Sequence, residues 1–125
     1  MTKIVIDAGG ISLPAELNDS PTARQILEAL PFEGKASIWG DEIHFEIKVW
    51  TVLDPDARED VELGELGYLP TGRAFCIFFG RTPASIGQRP RAYSPVNIVG
   101  RTLVESSALR DVKDGDPIRV HLAER

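Results

Sequence analysis

The sequence predicts a mainly β domain, a barrel or a sandwich, on three observations. Short runs of β-branched and aromatic residues recur at strand length, turns rich in Gly, Pro and Asp separate them, and only one segment carries the apolar spacing of a helix. A parallel α/β sheet would need a crossover helix between successive strands, and the pattern supplies too few. The 125 residues, 42% hydrophobic and 26% charged, suit one domain over residues 1–125 with a real core. No low-complexity tract or long-period repeat interrupts them.

Along the chain, Lys3 to Asp7 and Ile11 to Ala15 are β-prone runs joined by Ala8-Gly9-Gly10, whose glycines suit the positive φ of a tight hairpin. Pro14 lacks a ladder donor, which predicts that the second strand lies at an edge or ends there. Ser20-Pro21 is an N-cap followed by proline at the first helical position. Ala23, Ile26, Leu27 and Leu30 then form one apolar stripe, and Pro31 stops the helix. From Ile43 the period becomes two: Ile43, Phe45, Ile47 and Val49 alternate with His44, Glu46 and Lys48, the pattern of a strand with one wet face. Ser37 to Trp39 is its partner across a Gly40-Asp41 turn. Asp54 to Glu65 is acidic and reads as a loop or short helix.

Ala74 to Phe79 is apolar at every position and is predicted to be a core strand covered on both faces, flanked by helices. Arg81 to Pro95, with its prolines and glycine, reads as a long irregular loop. Val96 to Val104 and Ile118 to Leu122 are further strands, the last preceded by the turn Lys113 to Pro117.

Composition excludes several functions. The net charge of −5 opposes a nucleic-acid backbone. No purely apolar run is long enough for a membrane helix, the amino terminus lacks the features of a signal peptide, and a single cysteine cannot form an intramolecular disulfide, so a cytoplasmic location is expected. The stretch from Leu66 to Val104 holds Arg73, Arg81, Arg89, Arg91 and Arg101 without an acid, while Asp54 to Glu65 is crowded with them. Arginines answering that acidic segment are favoured over an anion site.

A structural zinc needs four Cys or His ligands, and the chain has only Cys76, His44 and His121, so no metal and no cofactor is expected. His44-Phe45-Glu46 lacks the cysteine motif of a zinc deaminase and reads as an outward-facing strand pair. Asp54-x-Asp56 fails as a calcium loop because Arg58 and Glu59 occupy ligand and turn positions. Cys76 sits in an apolar run that keeps it a neutral core thiol. Phosphate-binding glycine loops and the serine nucleophile elbow are absent from the sequence.

Four segments together carry a resemblance. Glu16-Leu-Asn-Asp19 before Thr22-Ala23, Trp39-Gly-Asp-Glu-Ile43 with Phe45, Gly67-Tyr68-x-Pro70-x-Gly72-x-Ala74-Phe-Cys-Ile-Phe-Phe-Gly80, and Ser94-Pro-Val-Asn-Ile98 with Gly100 resemble the small prokaryotic cyclophilin-like family over nearly the whole chain. The resemblance implies a closed cyclophilin-like β-barrel of about eight strands with one or two short helices, the architecture of peptidyl-prolyl isomerases. It implies a fold more than an activity. The Phe-His-Arg strand and Gln-Gly-Gly-Asp-Phe segment of ordinary cyclophilins are both missing, and Leu69 replaces a tryptophan common in the compact family. No catalytic residue transfers.

The favoured expectation is a module binding a small ligand or proline-containing peptide. Trp39, Tyr68 and Phe75 would form an apolar pocket, with Glu42, Arg73 and Asn97 as its orienting polar groups. Taken singly, Trp39 and Phe75 fit barrel packing better, and Asn97 the satisfying of a local backbone group; the pocket rests on their combination. A peptidyl-prolyl isomerase using Arg73, or another arginine of the acid-free stretch, is the alternative, and a subunit active only within a complex is the third reading. The sequence leaves the oligomeric state open.

Overall fold

The structure is a computed structural model and describes residues 1–123. Ten strands form one curled antiparallel sheet: β1 (Thr2–Ala8), β2 (Ile11–Leu17), β3 (Phe32–Lys35), β4 (Ser37–Ile38), β5 (Glu42–Glu46), β6 (Arg58–Asp60), β7 (Glu65–Leu69), β8 (Ala74–Phe78), β9 (Arg91–Thr102) and β10 (Pro117–Leu122). Their order is β3-β10-β1-β2-β9-β7-β8-β5-β4, with β6 branching from β9. One α-helix, α1 (Pro21–Ala29), and two short 3₁₀ turns complete it.

The expected fold is therefore right in class and wrong in closure and count. The sheet is open: its edges, β3 and β4, do not pair with each other. They are successive pieces of one chain segment, separated only by Ala36, which pairs first with β10 and then with β5. A segment turning between two partners at opposite ends of the sheet brings those ends near without a closing ladder. Strands β3, β6 and β7 raise the count above eight.

Local chemistry explains the elements that the sequence did announce. Gly9 and Gly10 take φ of +55° and +86°, the two positive values of a type I′ hairpin turn. Ser20 Oγ accepts from the Ala23 amide at 3.2 Å, capping α1. Thr22, Ala23 and Ile26 are its buried face. Pro14 neither ends β2 nor lies at an edge. Its carbonyl meets the Leu103 amide at 2.9 Å, so its donor-less nitrogen faces the β9 side, just beyond the ladder that runs from Ala15 to Leu17.

Strand β5 is shorter than its alternation suggested. Its ladder with β8 stops at Glu46 opposite Ala74, because the next residue of the partner chain, Arg73, is left-handed at φ +48°. The Ile47 amide then bonds the Arg73 carbonyl at 2.8 Å, and Ile47 and Val49 stay buried outside a regular strand.

Strand β8 is buried at all five positions, as expected, but sheet rather than helix covers its second face. Phe75 and Ile77 join the principal core with Ile4, Ile6, Ile43, Tyr68 and Val120. Ala74, Cys76 and Phe78 point the other way into a smaller core with Val61, Ala92 and Val96. The amino-terminal half of β9 builds that second layer by leaving the main sheet to pair with β6. Two glycines permit the close approaches involved: a Cβ on Gly100 would lie 2.0 Å from the Glu16 carbonyl oxygen, and one on Gly67 would lie 3.0 Å from Val96. The predicted loop from Arg81 to Pro95 thus ends early, at Arg91, where β9 begins.

Two of the five arginines in the acid-free stretch answer the acidic segment, while Arg73 and Arg101 pair with Glu46 and Glu16. Arg89 pairs with Glu62, and Arg91 with Glu59 and Asp60. Arg58 makes a bidentate contact with Glu65 at 2.9 Å. Among the described residues no helix is long and apolar enough to cross a membrane.

Candidate functional site

The hairpin between β4 and β5 places the first site residues. Trp39 and Glu42 exchange both backbone hydrogen bonds, at 3.0 and 3.2 Å, around Gly40-Asp41. Gly40 has φ +62° at the first central position of that turn, and a Cβ there would strike the Arg81 carbonyl and Thr82. Directly opposed residues of an antiparallel pair project from the same face, so Trp39 and Glu42 stand side by side. His44, two residues along, shares that face. It is the outer face, since Ile43 and Phe45 point into the principal core.

Main-chain bonds lock the hairpin to the rest of the fold. The Phe79 amide donates to the Asp41 carbonyl at 2.9 Å, and the Asp41 amide to the Arg81 carbonyl at 2.8 Å. Gly80 lies so close that a Cβ would approach Asp41 Oδ2 to 2.2 Å.

Over this face Tyr93, from the folded-back half of β9, meets Trp39 edge to face, with ring centroids 6.1 Å apart and planes at 79°. With Leu69 at the end of β7, these residues line a cleft of about 250 Å³. Glu42 is 5% exposed, and its Oε1 has no hydrogen-bond partner among the described residues. Burial pushes its carboxyl up to about 7, offset in part by the Cys76 thiol beneath it. Cys76 is itself raised well above an ordinary thiol by burial and then by the neighbouring carboxylate. Burial lowers His44, against a smaller opposing pull from Asp114. The cleft therefore holds a carboxyl group that keeps part of its proton at pH 7, an imidazole that burial biases toward the neutral form and two aromatic walls.

Of the six expected site residues, the fold brings Trp39 and Glu42 to the cleft and commits the other four elsewhere. Tyr68 is fully buried, and its hydroxyl donates to the Val49 carbonyl. Phe75 packs on Phe45 in the principal core. Asn97 Oδ1 accepts from the Asp54 amide at 2.7 Å, while its Nδ2 donates to Thr22 Oγ1 at 3.1 Å and to the Val52 carbonyl at 2.9 Å. It fastens the segment after Val49 to α1.

Arg73 pairs with Glu46 and lies over the Trp50 ring at 5.5 Å. Glu46 is four residues along β5 from Glu42, about 13 Å at strand rise. The place of Arg73 there, over Trp50 and paired with Glu46, leaves the arginine outside the lining of the aromatic cleft.

His44, Leu69 and Tyr93 are the lining residues that the expected set omitted. His44 was accessible from the alternation that pairs it with Glu42; it stands on the outer face as expected, but half-buried. Tyr93 had no comparable signal, because it reaches the cleft only through the fold-back of β9.

Larger clefts occur elsewhere. One of about 430 Å³ beside the β1–β2 turn contains Asp7 and Arg119, already engaged with His121 and Glu33, and one of about 400 Å³ near Leu103 contains Arg110, paired with Asp41. The Trp39 cleft is distinguished by its buried carboxyl oxygen left without a partner.

A curled, open antiparallel sheet with one capping helix and a pocket on its outer face defines a class of small β proteins. The family model described as Cyclophilin-like matches residues 2–121, and the chain belongs to that family. The hypothetical protein AF2241 from Archaeoglobus fulgidus, known from a solution structure, is 36% identical. The alignment covers 98% of this chain and 95% of that one, with a TM-score of 0.81. McbB, whose structure was solved in complex with tryptophan, shares the fold at a TM-score of 0.68 and 18% identity; 98% of this chain spans 45% of McbB. No curated protein matches the chain.

Proposed function

We propose that this protein is a small-ligand-binding module whose site is the cleft between Trp39 and Tyr93. One observation carries the reading: Glu42, which lines an aromatic cleft, keeps a buried carboxyl oxygen, Oε1, that has no hydrogen-bond partner among the described residues. Leaving a buried acceptor unmet costs about 1–3 kcal/mol, a cost that a ligand donor would remove. The walls suit an apolar or aromatic group of a few heavy atoms, and the floor suits one hydrogen-bond donor. The tryptophan complex of McbB, a protein of this fold, supports a small organic molecule over a polymer. The isomerase alternative gains nothing from the cleft, whose five lining residues include no arginine.

The two tryptophans provide an internal control, since Trp50 lies outside the cleft beneath Arg73. Titration of a fragment set, such as indole, phenol and benzylamine, followed by ¹H–¹⁵N NMR should shift the Trp39 indole N–H and leave that of Trp50. Trp39→Ala should abolish saturation at the remaining cleft amides. Shifts confined to Trp50, or no saturable shift for any fragment, would refute the reading.

A further inference from the structure

We propose that the cleft takes a small organic cation, an alkyl- or quaternary ammonium group, and that seating it drives the proton from the Glu42 carboxyl into solvent. The inference rests on the binding reading above and adds the charge of the ligand.

The lining residues point to that charge. Trp39 and Tyr93 meet nearly at a right angle, 6.1 Å between centroids, so two aromatic groups wall one corner. Aromatic faces carry negative electrostatic potential and attract ammonium groups, most strongly where water is excluded. Below them sits Glu42, the only side chain in the lining that can carry a negative charge at neutral pH, and no lysine or arginine accompanies it. An anion entering here would meet two aromatic rings and a carboxyl group that its charge would keep protonated, with no lysine or arginine in the lining. A neutral ligand would satisfy the carboxyl through one hydrogen bond. An alkylammonium would satisfy it through an N–H donor and a quaternary ammonium through charge alone, and either would also suit the aromatic walls.

The charge on Glu42 then depends on occupancy. The empty cleft favours the protonated acid because burial penalises the anion. A cation beside it reverses that preference, so binding releases a proton near and below pH 7. The other titratable groups around Glu42 are His44 on its own strand, Cys76 on β8 and Tyr93 on β9; Asp114 acts on His44, and the adjacent Asp41 is engaged by Arg110. His44 is the one whose protonation would also repel a cation at low pH. A His44→Gln control separates its contribution.

Choline and its neutral isostere 3,3-dimethyl-1-butanol test the inference on the full chain. Binding is followed by NMR at Trp39 and by calorimetry in two buffers of different ionisation heat. Choline should bind more tightly than the isostere, and its affinity should rise by up to about tenfold per pH unit from pH 5 to 7 and level off above. Proton release should be visible as a buffer-dependent heat near pH 6. Glu42→Gln should remove the pH dependence and the release, with choline reduced to the isostere's affinity. Tyr93→Ala, at a residue 79% exposed and therefore safe for the fold, should weaken choline more than the isostere. Equal binding of both probes, or choline affinity independent of pH in the parent protein, would overturn the cation while leaving the cleft a binding site. Failure of choline while the neutral fragments still shift Trp39 would overturn it too. Failure of every probe would remove the binding reading itself.

Discussion

Replacing Glu42 with glutamine should make the protein more stable at pH 8 and leave it nearly unchanged at pH 5. The carboxyl is raised from an ordinary 4.5 to about 7 by burial, a difference of about 3 kcal/mol between its two protonation states. In the unfolded chain it ionises near its ordinary value, so between those two pH values the native state holds a proton that the unfolded state has released. Stability from this group is complete below the unfolded value, declines as pH rises through the folded one, and is flat beyond it. Glutamine keeps the shape and never ionises.

The gap between variant and parent should therefore open from under about 1 kcal/mol at pH 5 to about 3 kcal/mol at pH 8, or roughly 10 °C in midpoint for a domain of this size. Urea or thermal unfolding of both proteins at half-unit pH steps measures it. Asp7, whose carboxyl is lowered by its bonds to Ser12 and His121, and His44, lowered by burial, have the opposite pH dependence, and both cancel in the difference. A gap that stays constant from pH 5 to 8 would show that Glu42 ionises like a surface carboxylate and would refute the reasoning.

Three further outcomes follow from particular contacts. Gly100→Ala would force a Cβ to within 2.0 Å of the Glu16 carbonyl, and separating β9 from β2 should cost at least about 3 kcal/mol in urea unfolding. Asn97→Ala would orphan the Asp54 amide, the Val52 carbonyl and Thr22. It should cost about 2–4 kcal/mol and open the chain near Thr51–Asp56 to limited proteolysis, whereas cleavage no faster than in the parent would argue against a clamp. The Cys76 thiol is 1% exposed and raised by burial, so Ellman's reagent should label it only in denaturant; rapid labelling of native protein would contradict its place in the second core.

Much of the fold was legible locally. The Gly9-Gly10 turn, the Ser20 cap and its apolar stripe, the Gly40-Asp41 hairpin and the all-apolar β8 each have a cause within a few residues. Strands β6 and β7 lacked such a cause. Arg58–Asp60 is charged throughout and acquires strand geometry only from β9, and the place of Gly67 in β7 is explained only by Val96 packing against it. The open sheet likewise depends on the chain turning at Ala36 between partners that lie far apart in sequence.

The site divides along the same line. Trp39 and Glu42 were readable together because one hairpin opposes them. Tyr68, Phe75 and Asn97 have the same residue types as pocket residues, and only the three-dimensional contacts assign them to the core and to backbone anchoring. The sequence by itself determined the β class, the helix, the central strand and the Trp39–Glu42 pair, since these follow from backbone conformation and periodicity at short range. Tertiary structure alone decided that the sheet stays open, that β9 folds back to bring Tyr93 over Trp39, and that Glu42 loses water without gaining a partner. Desolvation depends on neighbours supplied by distant segments, and no local pattern encodes it.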